Sequence, residues 1–95
     1  MTKLNKNLIA DAMYDAWNSE SAVTLNVNGN ILKVDISDIT DEGKLLYSIH
    51  LNNLCICVWV VDNEYNEKIG AFLKKEDTYE GAEIICDMVN FKLNH

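Results

Sequence analysis

Short links between alternating apolar segments constrain this chain more than any motif does. Residues 22–27, 30–36, 45–51 and 54–61 are rich in β-branched and aromatic side chains or alternate apolar with polar, which predicts strands; in 68–74, Ile69, Ala71 and Leu73 fit a fifth strand, which Gly70 favours, while Ile69, Phe72 and Leu73 fit one or two helical turns. Their links are too short for a parallel crossover, so consecutive strands should run antiparallel and successive links should fall at opposite ends of one sheet. Two links, Asn28-Gly29 and Asn52-Asn53, are neutral. The alternate links hold Asp35, Asp38, Asp41 and Glu42, then Asp62, Glu64 and Glu67, and Glu20 stands on the approach to the first strand. Turn parity therefore gathers these eight of the chain's fifteen acidic residues at one edge, opposed locally only by Lys44 and Lys68.

The flanking segments read as helices. Leu4, Leu8, Ile9, Ala12, Met13, Ala16 and Trp17 recur at steps of three and four, predicting an amphipathic helix over 5–18 whose other face carries Asn7, Asp11, Asp15 and Asn18. Asp77 with Glu80 three residues on reads as a helix start, and Ala82, Ile85, Cys86, Val89 and Leu93 as the core stripe of the helix that follows. A type I′ turn at Asn28-Gly29 would pair Leu25 with Leu32 and Val23 with Val34, leaving Thr24, Asn26, Lys33 and Asp35 on a wet face. A two-residue turn at Asn52-Asn53 would pair Leu51 with Leu54, Ile49 with Ile56, Tyr47 with Val58 and Leu45 with Val60. The opposite face would then carry Leu46, Ser48, His50, Cys55, Cys57, Trp59 and Val61, too apolar to stand bare in water. The expected architecture is a single α+β domain over 1–95: an antiparallel sheet of four or five strands, built from two hairpins and flanked by an N-terminal and a C-terminal helix.

The 95 residues carry eight lysines, no arginine and a formal charge of −7. Phosphate contacts need clustered cations and base readout leans on arginine, so direct nucleic-acid binding is disfavoured, as is an anionic membrane surface. A basic protein surface is the natural counterpart. No apolar run approaches the roughly twenty residues of a bilayer span. Three cysteines do not make a disulfide framework and no secretory leader is recognisable, which leads us to expect a cytoplasmic protein.

The remaining patterns carry little chemistry. Glu76, Glu80, Glu83 and Asp87, at steps of four, three and four, stack on one helix face. They span roughly 16 Å, about one charge per 5.5 Å against about 3.4 Å per phosphate of one DNA strand, so the stripe can imitate a nucleic-acid backbone only locally. Asp35, Asp38 and Asp41 are spaced by three rather than the two of a calcium loop. His50, Cys55 and Cys57 would share a face, but zinc wants a fourth ligand and a lone Cys-x-Cys is more often packing, so no metal or cofactor is expected. There is no Gly-rich phosphate loop, catalytic carboxylate pair or Ser-His-Asp order, and catalysis is not expected. Trp59, Leu46 and Tyr65 would form an interaction patch unless a helix covers them.

In the helix at 5–18 leading into the hairpin at 22–36, in the acidic loops, and in Glu76, Glu80, Glu83 and Asp87, the chain resembles the small acidic inhibitors of phages and mobile elements, such as type II anti-CRISPR proteins. It departs from them in its second, very apolar hairpin at 45–61, and no residue of theirs can be carried over. The resemblance implies an inhibitor that presents carboxylates to the basic nucleic-acid-binding groove of a larger protein, such as a nuclease or nucleic-acid-binding effector. An immunity protein against a basic nuclease toxin belongs to the same physical class. The alternative from a different class is a structural or regulatory homodimer joined through the Leu46/Trp59 face.

Overall fold

The structure, a computed structural model, describes residues 4–95. The chain runs through α1 (Lys6–Ser19), β1 (Val23–Val27), β2 (Asn30–Ile39), β3 (Leu45–Leu51), β4 (Leu54–Val60), β5 (Glu64–Asn66), β6 (Gly70–Phe72), a 3-10 turn (Lys75–Thr78) and α2 (Tyr79–Asn94). This is an α+β fold: β1 to β4 form an antiparallel sheet in sequence order, β5 and β6 a separate two-stranded one.

The α1 helix starts where Asn5 Oδ1 accepts the Leu8 N–H at 3.1 Å, and it stops where Glu20 takes a left-handed φ of 54°. It buries Ile9, Ala10, Ala12, Met13 and Ala16 and leaves Asn7, Asp11, Asp15 and Asn18 exposed. The first hairpin takes the expected register, with Leu25 opposite Leu32 and Val23 opposite Val34. Both central turn residues have positive φ, 54° at Asn28 and 86° at Gly29, as a turn matching the twist of the strands requires. Asn52 and Asn53 do the same between β3 and β4, at 51° and 70°.

Two bulges alter what the alternation predicts. Ser37 is extra in β2, so pairing resumes with Asp38 opposite Leu46 and Ile39 opposite Leu45; β2 thereby runs to Ile39 and takes Asp35 and Asp38 out of the link. Ile56 is extra in β4, where His50 faces Cys55 but Ile49 faces Cys57, Ser48 faces Val58 and Tyr47 faces Trp59. A one-residue shift moves every later side chain to the opposite face. Cys57, Trp59 and Val61 therefore turn toward the core, and Val58 and Val60 turn outward, reversing the expected pairs Ile49–Ile56, Tyr47–Val58 and Leu45–Val60.

The expected fifth strand at 68–74 does not join the main sheet. Its short strand β6 pairs with Glu64–Asn66, within a segment read from sequence as an acidic link. The anticipated cap at Asp77 is also displaced: its carboxylate accepts the Lys74 N–H at 2.9 Å inside the 3-10 turn, and α2 begins two residues later.

Both helices lie on one face of the sheet, α1 over β1 and β2 and α2 over β4, and they pack against each other. Between the layers sit Leu32, Val34, Leu45, Tyr47, Ile49 and Val61 from the sheet side, with Ile85 and Val89 from α2. Tyr47, wholly buried, donates its hydroxyl to the Met13 carbonyl at 2.7 Å, and burial raises its pKa above the ordinary tyrosine value. Among the described residues no helix lies over the other face of the sheet.

Candidate functional site

The acidic end is built by the β2–β3 turn, the exit from β4 and the approach to β1, which antiparallel strand order places together. Thr40 and Lys44 close the turn. The Thr40 N–H donates to the Lys44 carbonyl at 2.8 Å, the Gly43 N–H to the Thr40 carbonyl at 2.8 Å, and the Lys44 N–H to Thr40 Oγ1 at 3.1 Å. Asp41 and Glu42 stand exposed at its tip. Gly43 holds φ at 80°, and a Cβ there would lie 2.2 Å from Cδ2 of Tyr65, so the ring of Tyr65 lies against the bare backbone of the turn.

Asn63 locks this end. It is almost wholly buried; its Oδ1 accepts the Leu45 N–H at 2.8 Å, and its Nδ2 donates to the carbonyls of Gly43 and Glu64, each at 3.0 Å. Lys44 Nζ turns inward, donating to the Asn63 carbonyl and to Asp62 Oδ1 at 2.9 Å. The one cation of the turn thus neutralises Asp62, and among the described residues Asp41 and Glu42 have no ion pair. Neither Asn63 nor the inward turn of Lys44 was foreseen, since nothing in Asp62-Asn63-Glu64 distinguishes a buried clamp from a solvated loop.

The structure brings only some of the eight edge acids together. Glu20, Asp38, Asp41, Glu42 and Asp62 lie at the acidic end of the main sheet and are exposed. Glu64 lies in β5, paired with Lys74 at 3.0 Å. Asp35 is half-buried inside β2, opposite Ser48, and Glu67 sits in the tip turn of the β5–β6 hairpin. Asp35 nevertheless shares a cleft with Glu20, Ser21 and Ile39, while Glu67 belongs to the separate two-stranded sheet. Glu76, Glu80, Glu83 and Asp87 are all exposed. Their row starts beside the middle of α1, where Lys75 pairs with Asp11, and runs along α2; Glu80 and Glu83 border an open cleft shared with Lys6, Asn7 and Ala10 of α1.

The interaction patch expected at Leu46 and Trp59 is not one surface. Trp59 packs into the core under Gly81 of α2, while Leu46 remains on the open face beside Val60. The bulge also separates the soft ligands: Cys55 faces His50 across the sheet, but Cys57 points to the other side. Among the described residues no group of three or more His, Cys, Asp or Glu side chains is placed to hold a metal ion. Burial raises the thiol pKa of Cys57, with the neighbouring Cys55 adding to it, and burial likewise raises that of Cys86, with Asp87 second. Among the described residues no helix is long and apolar enough to cross a membrane.

Comparison with protein-family models, curated proteins and solved structures finds no match.

Proposed function

We propose that this chain is a protein-binding inhibitor, acting inside the cell, that presents its acidic end to a basic, nucleic-acid-binding surface of a larger protein. The observation that carries the reading is the treatment of charge in the β2–β3 turn. Like charges at a loop tip repel one another and gain nothing from burial, yet Lys44 turns inward to Asp62 and the Asn63 carbonyl. Among the described residues no cation pairs with Asp41 or Glu42, on a turn fixed by Asn63 and Thr40. A fixed tip of free carboxylates loses little entropy when it meets lysines and arginines, and it steers association with them. Glu20 and Asp38 widen the same end, and the α2 carboxylates form a second exposed row.

The test is capture from a lysate rich in nucleic-acid-binding proteins by the native chain and by a variant carrying Asp38→Lys, Asp41→Lys and Glu42→Lys. Among the described residues these positions form no ion pair, so reversing them leaves the Lys44–Asp62 and Lys74–Glu64 pairs intact. A basic nucleic-acid-binding protein retained by the native chain alone is the expected result. Equal retention by both proteins contradicts the role of this end.

A further inference from the structure

A cleft of about 280 Å³ opens at the acidic end, between the C-terminal turn of α1 and β2. It exists because β1 stops short. Val23 pairs with Val34, and among the described residues β2 from Asp35 onward has only β3 beside it. Trp17, Ile36 and Ile39 give the cleft apolar walls, and Glu20 and Asp35 line it with carboxylates. Trp17 is half-buried and Ile39 is 49% exposed, so these walls meet solvent.

Three sources of negative potential converge here. Among the described residues neither Glu20 nor Asp35 has an ion pair, although Asp35 is half-buried, which costs a carboxylate part of its hydration. Lys33, two residues before Asp35 in β2, is exposed and does not pair with it. The third source is the last turn of α1, which contributes Ala16 and Trp17 to the cleft. Its free carbonyls are the negative end of the helix dipole, and the turn holds no basic residue to offset them. Glu20 adds charge where that dipole disfavours it, at a left-handed φ of 54° that glycine or asparagine would adopt at lower cost. Neither local effect favours an acid at this position.

We infer that the cleft receives one arginine side chain of the basic partner. Its stem lies against Ile36 and Ile39, and its guanidinium stacks on the Trp17 indole and pairs with Glu20 and Asp35. Arginine fits better than lysine because its guanidinium is planar, weakly hydrated and able to stack on an aromatic face while donating to two carboxylates. A divalent cation fits worse, since it wants six or more oxygen ligands and would face apolar walls. The volume suits a single side chain, being below the roughly 300 to 1,000 Å³ of sites for drug-sized ligands. The inference rests on the reading of the acidic end as a surface for a basic protein, and adds the kind of side chain that this end grips.

The probe is the peptide acetyl-Gly-Arg-Gly-amide, with its lysine counterpart as control, titrated to about 20 mM into the isotope-labelled full chain and followed by NMR. The Trp17 indole N–H and the amides of Ser21 and Ile39 should shift saturably with the arginine peptide, while the indole of Trp59 stays in place. The lysine peptide should bind about threefold more weakly. Glu20→Gln and Asp35→Asn should each weaken the arginine peptide about threefold, and Trp17→Leu about tenfold, with an unchanged Trp59 indole signal reporting an intact fold. Asp41→Asn with Glu42→Gln should leave the affinity within about twofold, because the turn tip lies outside the cleft. Absence of a saturable shift at Trp17, or equal binding of the two peptides, overturns the inference. Neither result touches the inhibitor reading, which fails instead when a captured partner is retained equally by the native chain and its charge-reversed variant.

Discussion

Gly81 lies directly on the indole of Trp59: a Cβ added at Gly81 would stand 2.4 Å from Nε1 and 2.7 Å from Cδ1. This contact joins α2 to the edge strand of the sheet.

Gly81→Ala separates helix propensity from packing. Alanine favours a helix interior by about 1 kcal/mol over glycine, whereas forcing volume into a filled site costs about 1 to 3 kcal/mol. Packing should win, lowering stability by about 1 to 2 kcal/mol, read as a lower urea midpoint with an unchanged slope and a shift in tryptophan emission. An increase in stability would show that α2 does not rest on Trp59.

Asn63→Ala should loosen the acidic end. It removes three hydrogen bonds and leaves the buried Leu45 N–H and the Gly43 carbonyl without their side-chain partner. With an unsatisfied buried group costing about 1 to 3 kcal/mol, a loss of about 2 to 4 kcal/mol is expected from chemical unfolding. Faster hydrogen exchange should be concentrated in the β2–β3 turn.

Alkaline pH should unfold the protein partly through Tyr47. Below the ordinary tyrosine value of 10.0, folded and unfolded chains both hold the phenolic proton, and this group adds no pH dependence. Burial raises the folded value, so above 10.0 the unfolded chain releases the proton first and stability falls as pH rises. Tyr47→Phe should flatten that slope, while costing about 1 kcal/mol near neutrality for the lost bond to the Met13 carbonyl.

The thiols should divide by face. Cys55 is exposed, whereas Cys57 is half-buried and Cys86 buried, both with raised thiol pKa values. At a pH of about 8, a disulfide reagent should label Cys55 first, and Cys57 and Cys86 only as the protein opens. Equal labelling of Cys55 and Cys57 would contradict the shift in register at Ile56.

What could be read from the sequence stops at the bulges. The helix positions and the first hairpin followed from periodicity and from Asn28-Gly29, because one face of each element is apolar and the turn type sets the register. The Asn52-Asn53 turn likewise fixes Leu51 against Leu54 and His50 against Cys55. Beyond Cys55 every residue to Val61 is apolar or cysteine, so neither parity is penalised by burying a polar group, and nothing in the sequence announces that Ile56 is extra. That one residue sends Trp59 to the core and Val58 outward. The acidic end was legible because strand direction alone places it, and turn parity survives a bulge. Its internal order was not, since it rests on Asn63, whose burial depends on where Gly43 and Tyr65 settle.

The central claim is that the acidic end occupies a nucleic-acid-binding surface, and competition at a captured partner tests it most directly. Labelled duplex DNA bound to that partner should be displaced by the native chain and not by the Asp38→Lys, Asp41→Lys, Glu42→Lys variant. The displacement should weaken steeply as salt rises past about 0.15 M, where screening lengths fall below about 8 Å. DNA and the native chain binding the partner together, without mutual loss of affinity, would contradict it.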